Sequence, residues 1–151
     1  MAHHRLLRSS CLLHLCQKPA VEQEEQEVIA EPGACFLLRA RNVTREVVIG
    51  DDIREADTFL ARLRGLLGTD GLAPGEGLWI SPCSSIHSFG MRVVFDALFL
   101  GPGMKVVGRY DRFRRNRISR VFWNARGVLE LPTGTIERTG TEVGDEIQFE
   151  T

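Results

Sequence analysis

Apolar residues recur along this chain in two rhythms. In "DDIREADTFLARLRGLLG", residues 51–68, Ile53, Ala56, Leu60, Leu63 and Leu67 fall three or four positions apart, the spacing that lines one side of an α-helix. Asp52 is placed to cap the start, Glu55 three residues on completes a capping-box pattern, and Gly68 supplies a stop. The second rhythm is a series of short apolar runs broken by turn residues. These are "CFLLRARN" and "REVVIG" either side of "NVT", then "GLWI", "VVFDALFL", "KVVGRY" after the turn "GPGM", "RGVLELPTG" and "VGDEIQFE". Five to seven short strands and one helix predict a mainly β fold (a β-rich α+β domain), a compact jelly-roll-like sandwich or barrel with a single amphipathic helix packed on it.

That pattern occupies residues 35–151, read as one domain. Residues 17–33, "QKPAVEQEEQEVIAEPG", are acidic, lack aromatics and end in Pro-Gly, as a linker or a short solvated helix does. Before them, "MAHHRLLRSSCLLHLC" has the basic start of a signal peptide. Its apolar region is short and broken by His14, and "LHL" precedes Cys16 where a lipoprotein signal needs a small residue. Residues 1–34 therefore read as a poorly ordered tail or a start placed too far upstream, and the protein as cytoplasmic, with export the minority alternative. Without a secretory signal, the glycosylation sequon Asn42-Val43-Thr44 is a chance match.

Composition narrows the class. A hydrophobic content of 43% is too high for wholesale disorder, and no apolar run reaches the roughly 18 residues that a membrane span needs. Four cysteines, Cys11, Cys16, Cys35 and Cys83, have no CxxC spacing, which points to reduced thiols rather than a disulfide scaffold or a metal site. Charge is unevenly placed. Between Lys105 and Arg126, eight Lys/Arg against one Asp give +7, and a total of −1 leaves −8 for the rest of the chain. In "RYDRFRRNRISRVFWNAR" the arginines, among them Arg112, Arg114 and Arg115, alternate with Tyr110, Phe113, Phe122 and Trp123. Arginine beside aromatics suits single-stranded nucleic acid, but the acidity of the remainder argues against a dedicated nucleic-acid protein. A solvated face, or a contact with an anionic surface or protein partner through residues 109–126, is the expectation.

Cys83 and His87 stand four apart in what reads as a loop. A thiol and an imidazole supply a cysteine nucleophile with its base, or two ligands of a zinc site. Each reading needs further groups, and the other histidines, His3, His4 and His14, lie in the tail. Packed cysteine and backbone-bonded histidine is the plainer reading. Arg92 and Asp96 share parity, so a regular strand puts both on one face. Asp96 lies among Phe95, Ala97 and Leu98 and needs a partner, since an unpaired buried carboxylate costs several kcal/mol. Arg92, Arg62 and backbone amides are the candidates, and an ion pair joining helix to sheet is the simplest.

Three blocks then line up. "ADTFLARLRGLLGT", "GEGLWISPCSSIHSFGMRVVFDALFL" and "VLELPTGTIERTGTEVGDEIQF" together resemble the Domain of Unknown Function 192 family, over about residues 36–150. The resemblance implies a small, mainly β-stranded, jelly-roll-like domain with one helix, and no particular activity. Relatives with the "SIH-x-FGMR" form look like stand-alone cytoplasmic proteins. It also implies that Arg62, His87, Phe89, Met91, Arg92 and Asp96 surround one shared polar pocket. Two departures stand out: Thr69 occupies a place where many members carry arginine, and Val94-Phe95 replaces the more usual Pro-containing step before the aspartate. The leading expectation is a non-enzymatic binding or accessory protein, with no metal or cofactor, acting through a polar pocket or its arginine-rich face. The alternative is a thiol- or carboxylate-dependent enzyme centred on Cys83, His87 and Asp96.

Overall fold

The computed structural model describes residues 38–56 and 71–151. Seven strands follow in chain order: β1 (Leu38–Asn42), β2 (Val47–Ala56), β3 (Glu76–Ile80), β4 (Phe95–Leu100), β5 (Val106–Phe113), β6 (Gly127–Pro132) and β7 (Ile147–Glu150), with a short helix α1 (Thr135–Thr139) between β6 and β7. They form one sheet in the order β5-β4-β6-β3-β2-β1-β7. Every pairing is antiparallel except β2 with β3. The two outer strands approach each other at one end. Lys105 pairs with Glu146, and the Val106 amide donates to the Asp145 carbonyl at 2.8 Å. The sheet therefore curls into a half-barrel, and the mainly β expectation holds.

Both faces of the central strands are covered. Leu98, Leu100, Leu129 and Leu131 join Ile49, Ile53, Trp79, Val106, Ile136 and Ile147 in a first core. The alternate positions Phe95, Ala97, Phe99 and Val128 join Ile80, Ile86, Met91, Phe113 and Phe122 in a second. Successive side chains of a strand point to opposite faces, so a strand with two covered faces reads as an unbroken apolar run. Hence all six residues of β4, "FDALFL", are buried.

The residues expected to begin the helix are strand. Asp52–Ala56 pair in parallel with Glu76–Ile80, and the Asp52 amide donates to the Gly75 carbonyl rather than opening a helix. A three-residue step places two side chains on one side of a helix but on opposite faces of a strand. Here Ile53 enters the first core and Ala56 the second, so the spacing fitted either element and the parallel ladder decided. The remaining positions of that stripe, Leu60, Leu63, Leu67 and Gly68, lie outside the described residues, as do Arg62 and Thr69. Among the described residues the α-helix is α1, whose ends are set by Gly134 and Gly140, both left-handed, and Pro102–Met104 form a single 3₁₀ turn. Asn42 of the sequon is wholly buried, its side-chain amide donating to Thr141 Oγ1 and Asp145 Oδ2.

Gly108 in β5 is required by close approach. The Phe122 ring stacks on Phe99 with centroids 4.3 Å apart and crosses β5 so closely that a Cβ at position 108 would fall 1.9 Å from Phe122 Cε1. Gly108→Ala must expel that ring, and urea unfolding should show a loss of roughly 1–3 kcal/mol, as overpacking costs.

Candidate functional site

Two segments cover the second core, the loop 81–94 before β4 and the excursion 114–126 after β5, and the backbone ties them together. The Ser88 amide donates to the Arg117 carbonyl at 2.9 Å, Ser119 to Ile86 at 2.9 Å and Phe122 to Ser84 at 2.8 Å, with His87 bridged to Ile118. Two buried serines complete the join. Ser88 Oγ donates to the Arg114 carbonyl at 2.7 Å, and Ser119 Oγ accepts from the Ile86 amide at 3.0 Å. The result is a ribbon with a buried underside and a charged, partly apolar outer surface.

The candidate residues take distinct places on this frame. Cys83 is half-buried, and its thiol donates to the Ser85 carbonyl at 3.2 Å. Burial pushes that thiol above its ordinary pKa, against the Ser85 hydrogen bond, and the nearby Glu130 carboxylate adds to the rise. His87 is exposed, its ring stacked on Phe89 with centroids 5.9 Å apart. Thiol, imidazole and Asp96 carboxylate thus have separate partners. Among the described residues, no group of three His, Cys, Asp or Glu is placed to hold a metal ion.

Asp96 is fully buried, and its partners are two backbone amides: Oδ1 accepts from Arg112 N and Oδ2 from Ile136 N, each at 2.9 Å. It points to the first face, with Leu98 and Leu100. Arg92 does not share that face as a ladder residue, because residues 91–94 precede β4 and the parity argument does not reach them; its side chain is exposed. Arg112 sits in a left-handed conformation at a β5 irregularity, φ 53°. It reaches across to Glu137 of α1 at 2.7 Å, away from Arg114 and Arg115.

What the fold does bring together is Met91, Arg92, Val94, Arg114 and Arg115. Two open hollows meet at Val94. One, of about 490 Å³, is bordered by Leu72, Arg92, Val93, Phe95 and Pro132. The other, of about 610 Å³, is lined by Met91, Arg114, Arg115 and Asn116. Thr133 Oγ1 donates to the Val94 carbonyl at 2.6 Å, fixing the saddle between them. Among the described residues, no carboxylate lines either hollow. The ion pairs among the described residues engage Arg45, Arg54, Arg109 and Arg112, so Arg92, Arg114 and Arg115 are among the arginines without one.

One chemically distinctive residue escapes a reading by motif. Glu130 lies mid-β6 between Leu78 and Ala97, 2% exposed, and its Oε2 has no hydrogen-bond partner. Burial pushes its pKa up to about 8. The signal in the sequence is a lone carboxyl inside "VLELP", at the parity of Val128.

The fold defines a mainly β domain of an uncharacterised class. The model of the DUF192 family, described as "Uncharacterized ACR", matches residues 41–149. The chain belongs to that family. It is similar to the UPF0127 protein of Thermococcus sibiricus, 33% identical over 114 residues that cover 72% of this chain and 73% of the relative. The UPF0127 protein of Thermococcus gammatolerans is 32% identical over the same shares. In fold it resembles a crystal structure of a protein of unknown function from Novosphingobium aromaticivorans, with a TM-score of 0.65 at 17% identity, covering 78% of this chain and 89% of that one.

Two outcomes test this description. Asp96→Asn keeps the shape but sets its amide N–H against a backbone donor, so thermal or urea unfolding should show a loss of about 2–4 kcal/mol. For Glu130, the folded state keeps its proton up to about pH 8, while the unfolded chain ionises near the ordinary glutamate value of roughly 4.3. The native state holds the extra proton between those values, so stability falls as pH rises from about 4.5 to about 8. Glu130→Gln should flatten this part of the profile, and unfolding curves at pH 5 and pH 9 should separate variant from parent by several kcal/mol more at the higher pH.

Proposed function

We propose that this domain is a non-enzymatic binding or accessory protein of the cytoplasm, and that it holds an acidic segment of a protein partner, with an apolar anchor, across the saddle at Val94. The observation that carries this reading is the set of three arginines, Arg92, Arg114 and Arg115, around hollows that share Val94 and that no carboxylate lines among the described residues. Uncompensated guanidiniums offer planar, bidentate donors to carboxylates, while the exposed Val94 offers the apolar contact that gives such a site its anchor. Charge complementarity at an interface governs association rate and partner choice more than affinity. An accessory protein that samples acidic partners fits that balance.

The test uses a labelled peptide of alternating glutamate and leucine, followed by fluorescence anisotropy. Binding should be strongest at low salt. Reversing Arg92, Arg114 and Arg115 to glutamate should weaken it at least tenfold, and Val94→Asp should do the same without changing net basicity as much. Unchanged affinity in both variants would sink the saddle as the site.

A further inference from the structure

Beyond the saddle, the excursion after β5 ends in an exposed tip of different character. The chain has two tryptophans, and they sit at opposite extremes: Trp79 is 7% exposed in the first core, and Trp123 is 88% exposed at a turn. Ile118 and Val121 nearby are also exposed, at 69% and 43%. Single exposed apolar side chains are ordinary, but three within six residues, interleaved with exposed arginines, are not explained by that base rate. From Arg112 to Leu129 the chain carries six arginines and neither Asp nor Glu.

The tip is held in place. Phe122 is buried against Phe99, the Ala125 amide donates to the Phe122 carbonyl at 2.8 Å, and the Arg126 amide donates to the Leu100 carbonyl at 2.7 Å. The Arg120 guanidinium lies 4.5 Å over the Phe122 ring. With Phe122 anchored in the core, its neighbours Val121 and Trp123 are left to solvent by a backbone that is itself fixed. The ordering of that backbone is a cost met when the protein folds, not when it binds.

We infer that this tip is a peripheral contact for anionic lipid, with Trp123, Val121 and Ile118 entering the headgroup region and Arg117 and Arg120 facing the negative surface. Tryptophan favours the level of the headgroups, where one end of the indole is apolar and the other wet. Shallow insertion of apolar side chains backed by basic ones is how a protein lies on a bilayer without crossing it. No helix among the described residues is long and apolar enough to cross one. Charge complementarity selects an anionic bilayer over a neutral one.

The experiment uses the full chain with vesicles of phosphatidylcholine, alone or with about a third phosphatidylserine, read by co-sedimentation and by tryptophan emission. Trp79 is already buried, so a blue shift on binding reports Trp123. The expected result is binding and a blue shift with the anionic vesicles only. Trp123→Ala, a change at an exposed site, should abolish the shift and weaken sedimentation at least about fivefold, and Arg117→Glu with Arg120→Glu should weaken it further. Val94→Asp, which blocks the saddle, should leave the shift intact, so the two sites fail independently. No shift with anionic vesicles, or sedimentation unaltered in Trp123→Ala, overturns the inference. A shift produced by the acidic peptide and not by vesicles overturns it in favour of a protein partner.

Discussion

The carboxylate of Asp96 is the constraint on which the architecture turns. It lies in the most buried strand, and each of its oxygens accepts a backbone N–H from a different element: Arg112 on β5 and Ile136 at the start of α1. Hydrogen bonds to an ionised acceptor are about twice as strong as neutral ones, and in a buried setting they also satisfy donors that would otherwise be stranded. At Arg112 the bond accompanies a left-handed residue at a strand irregularity, and at Ile136 it meets an amide of the first helical turn, where no intrahelical partner exists. A five-residue helix of Thr, Ile, Glu, Arg and Thr has little intrinsic stability. Asp96 and the two flanking glycines hold it.

The contrast with Glu130 shows what this arrangement achieves. The two carboxyls are on adjacent strands, in register positions one apart, since Asp96 pairs with Leu131 and Ala97 with Glu130. They face opposite sides of the sheet. Asp96 finds two donors and is paired as a charged group should be. Glu130 meets Leu78 and Ala97 instead, and retains its proton. Sheet parity separates an anchored carboxylate from an unpartnered acid, and it sets Asp96 on the first face, where it borders a hollow of about 300 Å³ with Arg109, Arg112 and Glu137.

Much of the fold was legible in the sequence because short apolar runs and turn residues mark strands whatever they pair with. The runs at β4 and β6 have counterparts in the structure because both of their faces are covered. The opening of the expected helix was misread at Asp52–Ala56 because its spacing satisfies two periods, and pairing with β3, twenty-odd residues on, is invisible to a local window. Helix α1 was not anticipated, since a carboxylate forty residues away supports it. At the site, Arg114 and Arg115 stood out by composition, and Met91 and Arg92 by motif. That they gather at Val94 follows from a backbone ribbon no linear reading contains. Glu130 was overlooked because one acidic letter in an apolar strand looks like an outward-facing residue until both faces are known to be covered.

The meeting of Lys105 and Glu146 at the open end of the curl has a bearing on how the protein survives at high concentration. A curved sheet with two free outer strands offers two rows of unpaired amides and carbonyls, a template for joining one copy to the next. Here the end of β5 is occupied by the approach to β7, and its remaining length carries Arg109, Asp111 and Arg112. β7 is only four residues long. Where β5 meets β7 the sheet closes one end of its border, and the charged side chains along β5 and the shortness of β7 blunt the rest as a template for joining copies.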